Sequence, residues 1–145
     1  MTKPITFALV VACALTVGAC SNSSDSSTSS TTPTNPTATP TVENFSGTVP
    51  VAGNSFNPFT IALSGGTLTV TMTAAGPPAT ITMGIGVGTV VGGTCQLLSG
   101  GSTQGVAGTT PQLSGTINAG AYCVMIYDVG NATAPVTYAV TVSHY

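Results

Sequence analysis

The chain has 145 residues, of which only 3% are charged: a single lysine, three carboxylates and one histidine, for a net charge of −2. So few cations exclude nucleic-acid binding, which draws its affinity from lysine and arginine releasing the counterions of phosphates. The length leaves room for one domain and not two.

The amino terminus reads MTKPITFALVVACALTVGAC. Lys3 supplies the positive head that an export signal holds in the cytoplasm. The apolar run from Ile5 to Ala19 is about fifteen residues, shorter than the roughly twenty that a spanning helix needs. Val17-Gly18-Ala19-Cys20 closes it. This quartet, placed after a charged head and an apolar run, resembles the lipobox of bacterial lipoproteins. The resemblance implies recognition of Val17, Gly18 and Ala19 by the lipoprotein signal peptidase and lipidation of the Cys20 thiol, with residues 1–19 removed. Two or three acyl chains then anchor the protein, each buried methylene contributing about 0.8 kcal/mol. Ser21 follows the cysteine where an aspartate would retain the protein at the inner membrane, so the same resemblance implies the outer membrane in a cell with two. The competing reading is an ordinary signal peptide that leaves Cys20 as a free or disulfide-bonded thiol.

Residues 21–43 hold seven serines, seven threonines and three prolines. Such a stretch cannot bury enough apolar surface to offset the entropy of ordering it. It reads as a disordered tether averaging about 25–30 Å end to end. Its hydroxyls are also compatible with O-linked sugars. Residues 20–43 are therefore expected to be lipidated terminus and linker, and 44–145 the folded domain.

Within 44–145 the patterning is that of β-strands. Thr67 to Thr73 alternates threonine with Leu68, Val70 and Met72, the period-two signature of a half-buried strand. Residues 80–88 alternate with Ile81, Met83, Ile85 and Val87 on one face, and Val136–Val142 alternate again. Tyr122–Val129 is nearly continuous in apolar character, as a central strand requires. Phe59–Leu63 makes a further strand, and 45–49, 94–98 and 112–117 are weaker ones. Turn residues separate them: Ser64-Gly65-Gly66, Gly76-Pro77-Pro78, Asn118-Ala119-Gly120 and Gly130-Asn131. About eight strands without helical spacing predict an all-β, antiparallel two-sheet sandwich.

Asn118-Ala119-Gly120-Ala121-Tyr122-Cys123-Val124 followed by Val136–Val142 resembles bacterial pre-peptidase C-terminal domains, in which a Gly-x-Tyr strand precedes a Tyr-x-Val-x-Val strand. That resemblance implies a secreted, jelly-roll-like sandwich serving as a non-catalytic module. The acidic loops that bind calcium in some relatives are missing.

Cys13 leaves with the signal and Cys20 takes lipid, so Cys95 and Cys123 remain. In an oxidising compartment they are expected to pair, tying neighbouring strands; the alternative is two separate reduced thiols. No Cys-x-x-Cys and no nearby cation mark them as redox-active.

The chemistry-bearing residues of 44–145 are few. Asp128 is the one carboxylate and His144 the one histidine. Zinc needs three or four ligands and glycoside hydrolysis two carboxylates, so neither a metal nor a cofactor is expected. A triad of Asp128, His144 and some serine lacks a Gly-x-Ser-x-Gly elbow, and His144 lies in a terminus expected to fray. Gly84-Ile85-Gly86-Val87-Gly88 lacks the third glycine of a dinucleotide loop and reads as a glycine-rich, bulged strand.

The expected function is that of a non-enzymatic module held in the bacterial envelope by the lipid on Cys20, with an envelope protein or polysaccharide as partner. The rival is a domain binding carbohydrate or another small ligand, for which Phe56, Phe59, Tyr127 and Tyr145 are the stacking candidates.

Overall fold

A computed structural model describes residues 39–62 and 65–145. Eight strands follow one another: β1 (Thr41–Val49), β2 (Asn54–Ile61), β3 (Gly66–Gly76), β4 (Met83–Val91), β5 (Thr94–Gly105), β6 (Leu113–Ile117), β7 (Gly120–Asp128) and β8 (Val136–His144). They form two antiparallel four-stranded sheets, A in the order β1-β8-β3-β6 and B in the order β2-β7-β4-β5.

The pairing has a simple logic. β1 lies beside β8, β2 beside β7, β3 beside β6 and β4 beside β5. This is one long hairpin rolled up so that its strands fall alternately into two sheets, the jelly-roll form of an all-β sandwich. Its tip is Gly92-Gly93, both at positive φ (58° and 79°), as a two-residue hairpin turn matching the strand twist requires.

Alternation places the core. Leu68, Val70 and Met72 of β3, Val136, Val140 and Val142 of β8, Met83, Ile85 and Val87 of β4, and Val124 and Ile126 of β7 all face inward and are buried. Phe59 and Ile61 of β2 complete this layer between the sheets.

Two strands begin earlier than their patterning indicates. β2 starts at Asn54 rather than Phe59 because two of its inward positions are polar. The Asn57 Nδ2–H donates to the Tyr138 hydroxyl at 2.9 Å, and Ser55 Oγ shares a second 2.9 Å bond with it. Tyr138, only 4% exposed, thus stitches sheet A to sheet B. Removing its hydroxyl as Tyr138→Phe leaves the Asn57 amide without its partner and costs about 1–3 kcal/mol. Pro58, also in β2, is tolerated because β2 is an edge strand.

β1 likewise starts at Thr41, ahead of the Asn44 boundary expected from composition, with Glu43 opposite Val142. Glu43 belongs to a strand and not to the linker.

The disulfide Cys95–Cys123 is formed, with the two Cα atoms 6.0 Å apart. It does not tie neighbouring strands: it joins β5 to β7 across β4. β4 pairs with β7 only as far as Gly88. There the β5 register shifts, and the Gln96 carbonyl and Leu97 Cα lie where a Gly88 side chain would stand. The missing Cβ lets the β5 backbone climb onto β4 and carry Cys95 toward Cys123.

Candidate functional site

Asp128 and His144, the acid and base of a notional triad, are separated. Asp128 ends β7, whereas the His144 ring packs 5.8 Å from that of Phe59, which pairs with Tyr122 near the start of β7. The six steps along the strand from Tyr122 to Asp128 span about 20 Å.

Each of the two is committed to structure. One oxygen of Asp128, Oδ1, accepts the N–H groups of Gly130 (2.9 Å), Asn131 (3.1 Å) and Ala132 (3.1 Å). Its Oδ2 accepts that of Ala52 at 2.8 Å. The Ala52 bond above all, with those to Ala132, Gly130 and Asn131, holds the carboxyl below its ordinary range against an opposing desolvation. Asp128 is a clamp between the β1–β2 and β7–β8 connections.

His144 does not fray. It is 3% exposed and is the last residue of β8, and its Nε2 lies 3.0 Å from Glu43 Oε1. With the proton on Nε2, the ring donates to the carboxylate, while Nδ1 is buried with no partner among the described residues. The Glu43–His144 pair fastens the first strand of the domain to the last.

The four aromatic candidates part company. Phe59 is 4% exposed and belongs to the core. Tyr145 stands beside Gly66 at the far end of sheet A. Phe56 and Tyr127 share the outer face of sheet B, since Phe56 pairs with Met125, and Asn54 with Tyr127.

That outer face is built on the glycines of β4. Gly84 pairs with Tyr127, Gly86 with Met125 and Gly88 with Cys123. A Cβ at Gly84 would collide with the Tyr127 ring, and one at Gly86 with the Leu97 side chain. Two side chains from flanking strands therefore lie over β4, and the glycines are buried beneath them. Tyr127 is consequently a ring resting on a backbone floor, partly exposed to solvent.

Beside it is an open depression of about 380 Å³ lined by Ala52, Gly53, Asn54, Leu97, Met125, Tyr127 and Asp128. Its rim holds backbone strain: Ala52 has φ 54°, a left-handed conformation that costs a non-glycine residue about 1–2 kcal/mol. The Ala52 bond to Asp128 and the turn bond from Gly53 N–H to the Pro50 carbonyl (3.0 Å) keep it there. The Asn54 side chain is exposed on the same rim. A second hollow of about 210 Å³ opens between β5 and β6, over Leu68, Val87, Leu113 and Ile117.

The lipidation and cleavage residues Val17, Gly18, Ala19 and Cys20 lie outside the described residues, as does most of the expected linker. Tyr127 and Phe56 are legible as candidates in the sequence, whereas Asn54, Ala52 and the part played by Gly84 are not. Composition assigns Glu43 to the linker, whereas the structure has it in β1. The signal for Gly84 was present in the glycine–apolar alternation of β4, but its meaning depends on the register with β7.

No protein-family model and no curated protein matches the chain. Among solved structures it is similar to Aeromonas hydrophila PliG, a periplasmic lysozyme inhibitor of g-type lysozyme. The identity is 16%, with 72% of this chain and 86% of that chain covered and a TM-score of 0.44.

Proposed function

We propose that the chain is a bacterial lipoprotein precursor whose jelly-roll domain acts as a non-catalytic interaction module in the cell envelope. The anchor rests on the sequence: a positive head, an apolar run and Val17-Gly18-Ala19-Cys20, with the serine, threonine and proline segment as tether. The carboxy-terminal strands that resemble pre-peptidase C-terminal domains agree with the eight-strand jelly-roll order.

One observation carries the choice of module over enzyme. Asp128 and His144, the domain's best acid and base, are held in structural bonds at opposite ends of the fold. What remains open to a partner is surface, and the outer face of sheet B offers aromatic and apolar side chains around a depression.

The anchor is tested by metabolic labelling with an alkyne fatty acid. Wild-type chain takes the label and partitions with membranes, and Cys20→Ser takes none and stays as unprocessed precursor. Labelling that persists in Cys20→Ser refutes the lipobox. A mature chain cleaved after Ala19 but unlabelled supports the ordinary signal peptide instead.

A further inference from the structure

We propose that the depression beside Tyr127 on the outer face of sheet B is a binding site for a neutral saccharide unit; this deepens the interaction-module reading and rests on it. Tyr127 lies against the Gly84 backbone, which no other residue would permit. A ring supported on one side by backbone is fixed in orientation and loses little entropy when a ligand covers its other side. The C–H face of a pyranose is an apolar surface of the right kind for such a platform, and its hydroxyls need polar partners at the edge.

Those partners converge on the same hollow. Asn54 is the direct cross-strand neighbour of Tyr127, and its exposed amide has no hydrogen-bond partner among the described residues. The Tyr127 hydroxyl likewise has no hydrogen-bond partner among the described residues. The Oδ2 atom of Asp128 takes one N–H, from Ala52, and keeps a lone pair for a sugar hydroxyl, whereas Oδ1 takes three. An amide, a phenol and a carboxylate beside an aromatic face make a mixed surface, suited to a ligand that is itself apolar on one side and hydroxylated at its rim.

Charge narrows the class. The chain's one lysine is Lys3, in the signal region, and the hollow contains the Asp128 carboxylate. Phosphorylated, sulfated and uronic-acid sugars would meet a negative group with no cation to offset it. A cation finds a carboxylate already saturated on one oxygen and no second acid at the rim. The strained Ala52 at the edge of the depression adds a backbone position kept at a cost of stability, a feature that clusters at ligand sites.

A protein partner is the opposing reading for this face. The exposed polar groups beside the ring favour the saccharide, because the centre of a protein-binding patch is more uniformly apolar.

The test is calorimetric titration of the full chain in detergent with neutral hexasaccharides of glucose, N-acetylglucosamine and mannose, and with a galacturonic acid oligomer. At least one neutral oligomer binds, and the galacturonic acid oligomer does not. Tyr127→Ala weakens that binding by about tenfold or more, as loss of a stacking face requires, and Tyr127→Phe keeps it within about threefold. Circular dichroism of each variant verifies that the fold is intact. Failure of every neutral oligomer to bind, or wild-type affinity in a folded Tyr127→Ala, overturns the proposal. A photo-reactive residue at Asn54, introduced in living cells, separates the two readings. Cross-linking to a protein without any glycan binding overturns the saccharide site and leaves the interaction module standing, and no adduct of any kind overturns both.

Discussion

The two outer faces of the sandwich follow opposite rules. On sheet A, Thr48 faces Thr137, Asn44 faces Thr141, Thr141 faces Thr71, Ser143 faces Thr69, and Thr69 and Thr67 face Ser114 and Thr116. The result is a nearly uniform field of hydroxyls and methyls, made by simple alternation except where β3 bulges between Met72 and Ala74. On sheet B, the outward positions of β4 from Gly84 to Gly88 are glycines, roofed by Tyr127 and Leu97 and crossed by the disulfide. Sheet A is a surface made by propensity, where β-branched residues satisfy the backbone and little else is asked. Sheet B is a surface made by fit, in which empty positions on one strand are occupied by side chains or backbone of another. Substitution should therefore be tolerated on the first and costly on the second.

The largest expected difference is at the disulfide. With the cysteines 28 residues apart, replacing both by alanine should lower stability by about 3–4 kcal/mol on the loop-entropy account, read by urea unfolding. Next is Gly88→Ala, whose methyl would meet the Gln96 carbonyl on a strand that the disulfide prevents from retreating. A loss of about 2–3 kcal/mol is expected, and an unchanged midpoint would mean that β5 does not lie on β4 as described.

Asp128 sharpens the contrast through pH. Its folded pKa is depressed, so the stability it contributes is fully present above the unfolded carboxylate value, near 3.8, and is lost as pH falls through the lower folded value. Asp128→Asn should weaken the protein at neutral pH and flatten the acid limb of its stability curve between about pH 5 and 2. Smallest of all is Thr71→Ala on sheet A, expected to cost no more than about 1 kcal/mol, the strand preference of one β-branched residue, in the same unfolding assay.

How far these faces could be read beforehand follows the same division. Sheet A's strands were plain in the sequence, since the alternation of Thr67–Thr73 and Val136–Val142 is local and has only one structural meaning. Sheet B was legible in outline: a glycine strand with a bulge, a nearly apolar central strand, a pair of cysteines. Which strand the disulfide crosses was not, because it depends on β5 climbing over Gly88. The start of β2 was hidden by Ser55 and Asn57, which look like loop residues until the Tyr138 hydroxyl arrives from more than eighty positions away. The start of β1 was hidden in the same manner. Thr41 and Glu43 continue the composition of the tether, and the partner that makes Glu43 structural, His144, lies 101 residues further on. His144 itself was misjudged by its place at the end of the chain, when its place in the register was what mattered. Phe56 and Tyr127 were recognisable as candidates, but their sharing of a face was fixed by the β2–β7 pairing.

The central claim is that sheet B's outer face is the working surface and sheet A's is passive. Photo-reactive residues placed singly at Phe56 on sheet B and at Thr71 on sheet A, in cells carrying the full chain, test it most directly. Adducts with an envelope component are expected from Phe56 and not from Thr71. Adducts from Thr71 with none from Phe56 would contradict the account.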